Sequence, residues 1–162
     1  MEQTATMSTK AYLTFSLGKE SFALTVDSVI EILELSTITE VPQSPHFMRG
    51  IINLRGNVLP VVDTRIKFGL PTAEDTLKTR IIVLNVKGKN GSIQVGAVVD
   101  VASQVMDFKQ EEILPAPSLE DYERAEFIDG IIKYKEQFIM ILNAQKLFGS
   151  QDVEMLEETQ LS

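Results

Sequence analysis

Cysteine and tryptophan are absent from this 162-residue chain, and there is a single histidine. Without cysteine there is no disulfide framework, no thiolate nucleophile and no Cys-ligated zinc or iron–sulfur centre. A reducing cytoplasm suits that usage. His46 alone is no zinc cluster, and neither a metal nor a cofactor is expected. Long apolar runs are missing too: no stretch approaches the roughly 18 residues of a membrane span. The polar opening MEQTATMSTKA lacks the apolar centre of an export signal. Positive charge is the scarcer sign, with 15 Lys plus Arg against 23 Asp plus Glu. The acidic excess is local. Residues 111–126 hold six acids against Arg124 alone, and residues 150–162 hold four acids and no base. Neither a nucleic-acid backbone nor an anionic membrane surface meets a strong attracting field.

What remains is globular, with 44% hydrophobic and 23% charged residues. Val, Ile and Thr number 14, 15 and 12 against 16 Leu, a balance that favours pleated strands. Residues 1–10 have nothing to pack and are expected to be a flexible tail. Residues 11–149 then read as one domain, and 150–162 as an acidic tail or short helix. Tyr12, Phe15 and Leu17 lead through Gly18-Lys19-Glu20 to Phe22, Leu24 and Val26, a hairpin with the last three on one face. Val29 to Leu33 is extended, and Val41-Pro42-Gln43-Ser44-Pro45 is a loop. A second hairpin turns at Gly56-Asn57, and its Pro60 predicts an exposed or bulged position. The strand Arg80–Val86 turns at Lys87-Gly88-Lys89-Asn90-Gly91 into the alternating Ile93, Val95, Ala97 and Val99. Pro115 and Pro117 open a loop, and residues 131–142 make the last hairpin.

These segments repeat. At an offset of 80, residues 50–69 lie over 130–149 with five identities in twenty: Gly50/Gly130, Ile51/Ile131, Ile52/Ile132, Phe68/Phe148 and Gly69/Gly149. At an offset of 73, Val26-Asp27 lies over Val99-Asp100 and Ile32 over Val105. An internal duplication explains the ordered recurrence of hairpin, Asp, Pro loop, Gly-Ile-Ile hairpin and Phe-Gly. Each copy is expected to end in a short helix capped by Asp63 or Asn143, left through Gly69 or Gly149 at positive φ. Phe68 and Phe148 anchor these helices, because so few residues are not stable as isolated helix.

Catalytic chemistry finds no support in these residues. His46 has no nucleophile or acid beside it. Gly18-Lys19-Glu20 lacks the glycines of a phosphate loop. Asp27, Asp63 and Asp100 each follow a strand, where a short acceptor caps a turn. Most of the eight phenylalanines lack the basic neighbours of a nucleic-acid-binding barrel and read as core. The copies differ at outward positions, however. The first hairpin carries Asn53, Arg55, Gly56, Asn57 and Pro60 where the second has Lys133, Lys135, Glu136, Gln137 and Met140. Arg49 beside Gly50 and Arg55 beside Gly56 suit a partner's close backbone approach, or else an Arg tethered to a local acid such as Glu31 or Asp63. The residues alone therefore describe a protein-binding module without naming its partner.

VDSVIEILE at 26–34, VPQSPHFMRGIINLRGNVLPVVDTRIKFGL at 41–70, TRIIVLNV at 79–86 and VGAVVDVASQVM at 95–106 resemble the CheW family of bacterial chemotaxis coupling proteins. NLRG-x-x-x-PVVD at 53–63 is the most specific part, and Thr64 departs from the family's usual Leu. The resemblance implies an all-β fold with short helices, in which two intertwined five-stranded SH3-like β-barrel subdomains derive from the duplication. It implies a non-catalytic adaptor that couples the cytoplasmic tip of a methyl-accepting chemotaxis receptor to the regulatory domain of the histidine kinase CheA. That domain is itself CheW-like, and such domains pack in rings. The expected location is the cytoplasm, at membrane-associated receptor arrays, with no nucleic acid and no membrane insertion. By residue, it implies Val29 and Glu31 on the receptor side, Arg55 near Glu31, and Gly50 before the hairpin. Asn53, Gly56 and Asn57 border the groove, and Ile32, Val58 and Val98 flank it. Other readings are a CheW-like scaffold of a different receptor–kinase pathway, such as pilus-based motility, and a nucleic-acid-binding small β-barrel.

Overall fold

The computed structural model describes residues 9–89, 91–115 and 126–161. Most of the expected N-terminal tail, Asn90 of the second-copy hairpin, and Pro117 with most of the acidic loop lie outside these residues. The branched segments form strands β1 (Thr9–Leu17), β2 (Glu20–Thr25), β3 (Val29–Glu34), β4 (Met48–Leu54), β5 (Asn57–Asp63), β6 (Arg80–Gly88), β7 (Gly91–Val99), β8 (Val101–Lys109), β9 (Ile128–Tyr134) and β10 (Gln137–Leu142). Helices α1 (Thr64–Lys67), α2 (Ala144–Leu147) and α3 (Ser150–Leu161) follow the two copies of the last hairpin. No helix of the described residues is long and apolar enough to cross a membrane.

Two five-stranded sheets result, in the orders β8-β1-β2-β10-β9 and β3-β6-β7-β5-β4. Exchanging β1–β5 with β6–β10 converts one order into the other. Each copy gives its first hairpin to one sheet and its remaining three strands to the other. The parallel pairings fall at matching places, β10 on β2 and β5 on β7. At the offset of 80, β9 superposes residue for residue on β4. This exchange of hairpins interlocks the sheets.

The expectation of closed barrels is not met. Each sheet is open: β8 and β9 are the edges of one, β3 and β4 those of the other, and neither pair of edges is joined as strands. The reason lies in the segments that leave β3 and β8. Each crosses the outer side of β4 or β9 through one residue pair only, Thr39 with Ile51 and Leu114 with Ile131. These bridges use the edge hydrogen bonds without extending into a ladder.

The largest core lies between the sheets and contains Phe15, Leu17, Phe22, Leu24, Phe68, Leu84, Val95, Leu142 and Phe148. A smaller core sits within each sheet's own curl: Tyr12, Phe108, Ile132, Ile139 and Ile141 in one, Ile52, Leu59, Val61, Ile81, Val83 and Val98 in the other. Both faces of the central strands are therefore covered. Phe22 and Leu24 lie in the main core as expected, but Val26 does not continue their face. It starts a 3₁₀ turn, Val26–Ser28, and is exposed. Asp27 lies within that turn instead of capping it. Pro60 is buried, contrary to expectation; the pairing with β7 begins one residue later, at Val61, so its missing N–H interrupts no ladder there.

Asp63 caps α1 by accepting from the Ile66 N–H at 3.3 Å, and Asn143 caps α2 by accepting from Gln145 and Lys146 at 3.0 and 3.1 Å. Gly69 leaves α1 at φ 73°, whereas Gly149 has no positive φ because α3 begins at the next residue. The third aspartate acts differently. Asp100 accepts from the Gly18 N–H at 2.6 Å and forms an ion pair with Arg65, whose Nε lies 3.0 Å from Oδ1. Burial pushes this carboxyl up, but the hydrogen bonds from Arg65 and Gly18 and the Arg65 charge outweigh it and hold it below its ordinary 3.8. Arg65 also feels the charge of Asp63. A carboxyl depressed by folding stabilises above its unfolded value and loses that contribution as pH falls through its folded value. Asp100→Asn should thus cost about 1 kcal/mol at pH 7, a modest figure because the pair keeps contact with water. In urea titrations across pH, the difference from the parent protein should shrink as pH falls below the ordinary carboxyl value of 3.8. A constant difference at all pH values would contradict this.

Candidate docking surface

β3 is an edge strand, hydrogen-bonded only to β6 within its sheet. Its register shifts between Val29 and Glu31, leaving Ile30 as the extra residue of a bulge. The shift decides which side chains share a face, because residues directly opposite point the same way. Val29 and Ile32 oppose Leu84 and Ile82 of the main core, whereas Glu31 and Leu33 oppose Val83 and Ile81 of the second sheet's small core. Val29 and Glu31, adjacent by period two, therefore face opposite ways. Ile30 is 44% and Ile32 43% exposed, which gives the edge two apolar side chains in water.

Arg55 reaches this edge from the other end of the sheet. The β4–β5 connection is a two-residue turn, Arg55-Gly56, because Leu54 pairs with Asn57. It lies one residue earlier than the Gly56-Asn57 turn expected from sequence. Both central residues have positive φ, 51° and 87°, the requirement of a type I′ hairpin. Gly56 meets it freely. Arg55 adopts it as part of a turn that Asn53 ties by accepting from the Gly56 N–H at 2.8 Å. From there the Arg55 guanidinium forms an ion pair with Glu31. The pair spans the mouth of the curled sheet over its small core and links edges that backbone bonds leave apart. Arg55 is 68% exposed and Glu31 half-buried, so the guanidinium still offers donors to a partner. Among the described residues the second copy shows no such link: the twin of Arg55 is Lys135 at φ 50°, with its ammonium 5.3 Å from the centre of the Tyr134 ring.

The remaining expected residues fall in three settings. Asn57 is exposed at the turn. Val58 is half-buried and lines a cleft of about 540 Å³ with Val41, Pro42, Pro45, Ile51 and Met155 of α3. Val98 is only 5% exposed and packs inside the small core. Gly50 is buried, and the backbone that approaches it is the chain's own: an added Cβ would lie 2.2 Å from the Thr39 carbonyl oxygen and 2.7 Å from Ile38 Cγ2. Its twin Gly130 makes the same kind of crossing, with a Cβ 2.4 Å from Ile113 Cγ2. Gly50→Ala should therefore destabilise by about 2 kcal/mol through overpacking. Chemical denaturation checks this, and a change below about 0.5 kcal/mol would contradict it.

Sequence reasoning missed Ile30, Val26, Val105 and Phe138 as surface residues. Val105 on the edge strand β8 is the offset twin of Ile32 and more exposed, at 60%. Phe138, a core position by the sequence pattern, is 59% exposed. Its twin is Val58, near which the chain's own α3 supplies a covering wall through Met155. Among the described residues no group of His, Cys, Asp or Glu is placed to hold a metal ion.

Residues 11–152 match the family described as CheW-like domain. The Chemotaxis protein CheW of Klebsiella aerogenes is 31% identical over 90% of this chain and 86% of its own length. The Chemotaxis protein CheW of Rhizobium meliloti is 32% identical over 88% and 89%. Protein FrzA of Myxococcus xanthus is 29% identical over 84% and 83%. The crystal structure of the scaffolding protein TtCheW from Thermoanaerobacter tengcongensis superposes with a TM-score of 0.78 at 31% identity, covering 88% of this chain and 90% of that one.

Proposed function

We propose a function from membership: this chain belongs to the CheW-like domain family, and it is a non-catalytic adaptor that couples chemoreceptor signalling tips to the regulatory domain of the histidine kinase CheA. It works in the cytoplasm, held by these partners at membrane-anchored receptor arrays, where other CheW-like domains are its neighbours in rings. The observation that carries this reading is the asymmetry between the copies. Among the described residues, the first copy alone sets exposed apolar side chains on an edge strand beside an ion pair that retains donor capacity, Ile30 and Ile32 beside Glu31–Arg55.

In mechanism, the receptor tip straddles the free edge of β3, its apolar stripe against Ile32 and the exposed part of Val29 on one face and the Glu31–Arg55 pair on the other. Arg55, held in place by Glu31, fixes the register through directional hydrogen bonds. Asn53 and Gly56 shape the turn that presents Arg55, Asn57 borders it, and Gly50 keeps the strand beneath in place. Val58 contributes from its cleft. The buried Val98 supports this surface from below. The kinase domain docks elsewhere, and exposed Phe138 on the opposite sheet offers an apolar anchor for it. A few buried side chains, at about 25 cal/mol per Å², give interfaces that are weak after association costs. Weak suffices, because an array raises effective concentration.

Purified receptor tip and CheA regulatory domain, titrated separately and then together, test this function. Both should be retained at once. Mutual displacement, or retention of neither, would overturn it.

A further inference from the structure

We infer that Arg65 and Asp100 form a clasp that sets the position of one sheet against the other, and that Arg65 is thereby a positioning residue for the adaptor. This inference rests on the function proposed above. Arg65 belongs to α1, which follows β5 of the second sheet. Asp100 is the single residue between β7 of the second sheet and β8 of the first. Its backbone N–H donates to the Ser16 carbonyl at 3.1 Å, and its carboxylate accepts from the Gly18 N–H at the tip of the β1–β2 hairpin. The guanidinium holds that carboxylate with two nitrogens and lies 3.5 Å from where a Cβ of Gly18 would stand. Its remaining nitrogen donates to the Pro71 carbonyl at 2.8 Å, which adds the loop after α1 to the same knot.

The duplication supplies an internal comparison. The offset twin of Arg65 is Gln145, on α2 of the other copy. Gln145 also grips the opposite sheet: its amide nitrogen donates to the Lys87 carbonyl at 3.1 Å, and its amide oxygen accepts from the Lys87 N–H at 2.9 Å. Each sheet is thus held by the short helix of the other. One grip is a neutral amide on backbone. The other depends on a charge pair and on one aspartate at the crossing point. β3 and the Arg55 turn lie in the second sheet, while Phe138 and β8 lie in the first. These two grips, the shared core and the Lys67–Asp152 pair between α1 and α3 together set the orientation of the two docking areas. Of these, the Arg65–Asp100 clasp alone joins the crossing residue between β7 and β8 to the β1–β2 hairpin, and a single substitution releases it.

Because the chain has no cysteine, spin labels on Lys19→Cys and Ser92→Cys report the separation of the hairpin tips of the two sheets. Arg65→Gln, which imitates the twin, is expected to broaden the distance distribution between these labels. The melting temperature should stay within a few degrees, and the affinity for receptor tip or CheA regulatory domain alone within about twofold. Receptor stimulation of kinase activity in the reconstituted complex should fall about fivefold. Arg65→Lys, which keeps the charge without the fork, should recover part of that loss. An unchanged distance distribution would overturn the clasp. A broadened distribution with full stimulation would overturn the positioning role. Should the parent protein retain neither partner, the adaptor function and the positioning role fall together, while the distance measurement still decides the clasp.

Discussion

Phe148→Ala lowers stability by about 3–5 kcal/mol in urea or guanidinium unfolding, the range for truncating a fully packed aromatic ring. Phe148 is 3% exposed and belongs to the main core between the sheets. Its ring centre lies 6.3 Å from that of Phe47, and the Lys67 ammonium sits over both, 4.7 Å from Phe47 and 5.8 Å from Phe148. The same ammonium pairs with Asp152 of α3 at 2.5 Å. Removing the ring therefore opens a cavity and loosens a lysine on which the C-terminal helix depends. That helix has 12 residues and needs tertiary contacts to persist. For a protein of this size the loss corresponds to about 10 °C in melting temperature. Phe138→Ala provides the control, because a ring largely in water should change stability by less than about 1 kcal/mol. A loss below about 1 kcal/mol for Phe148→Ala would refute the anchoring role assigned to the repeated Phe-Gly pair.

The features legible in the sequence are those a residue type enforces locally. Asp63 and Asn143 had to be caps because each precedes a helix too short to lack one, and both accept the expected N–H groups. The repeated Gly-Ile-Ile aligned the two hairpins, and the structure shows that Gly50 and Gly130 both leave no room for a Cβ because the chain's own backbone crosses there. What stayed hidden depends on partners distant in sequence. The bulge at Ile30 is defined only by the register with β6. Val98 enters as a flanking residue only through the family resemblance, and a strand covered on both faces buries it. Phe138 is a core position by the sequence pattern because nothing local says that α3 packs beside β5 and not over β10. Closed barrels followed from the family resemblance. The single-pair bridges at Thr39 and Leu114, which leave the sheets open, have no signature in composition or spacing. The tether of Arg55 to Glu31 was one of two alternatives at the level of residues. The structure shows the tether and leaves most of the guanidinium in water, so one side chain serves both.

That double service sets the second large effect. Arg55→Ala should leave the far-ultraviolet circular dichroism unchanged and alter stability by no more than about 0.5 kcal/mol, because an exposed ion pair contributes little to folding. Receptor-stimulated kinase activity at normal protein concentration should nevertheless fall about tenfold or more, equivalent to about 1.4 kcal/mol of lost binding. The disparity arises because water serves the guanidinium equally well before and after folding, whereas a docked receptor hairpin excludes that water and makes its hydrogen bonds count. Glu31→Gln separates orientation from contact. The neutral amide removes the charge that steers Arg55 but leaves the guanidinium available, so its loss of stimulation should be smaller than that of Arg55→Ala. If Arg55→Ala activates the kinase as fully as the parent protein, Arg55 belongs to the fold and the receptor surface must be sought elsewhere. If Glu31→Gln is as damaging as Arg55→Ala, the carboxylate itself meets the receptor, and the ion pair acts as one recognition unit instead of a contact and its support.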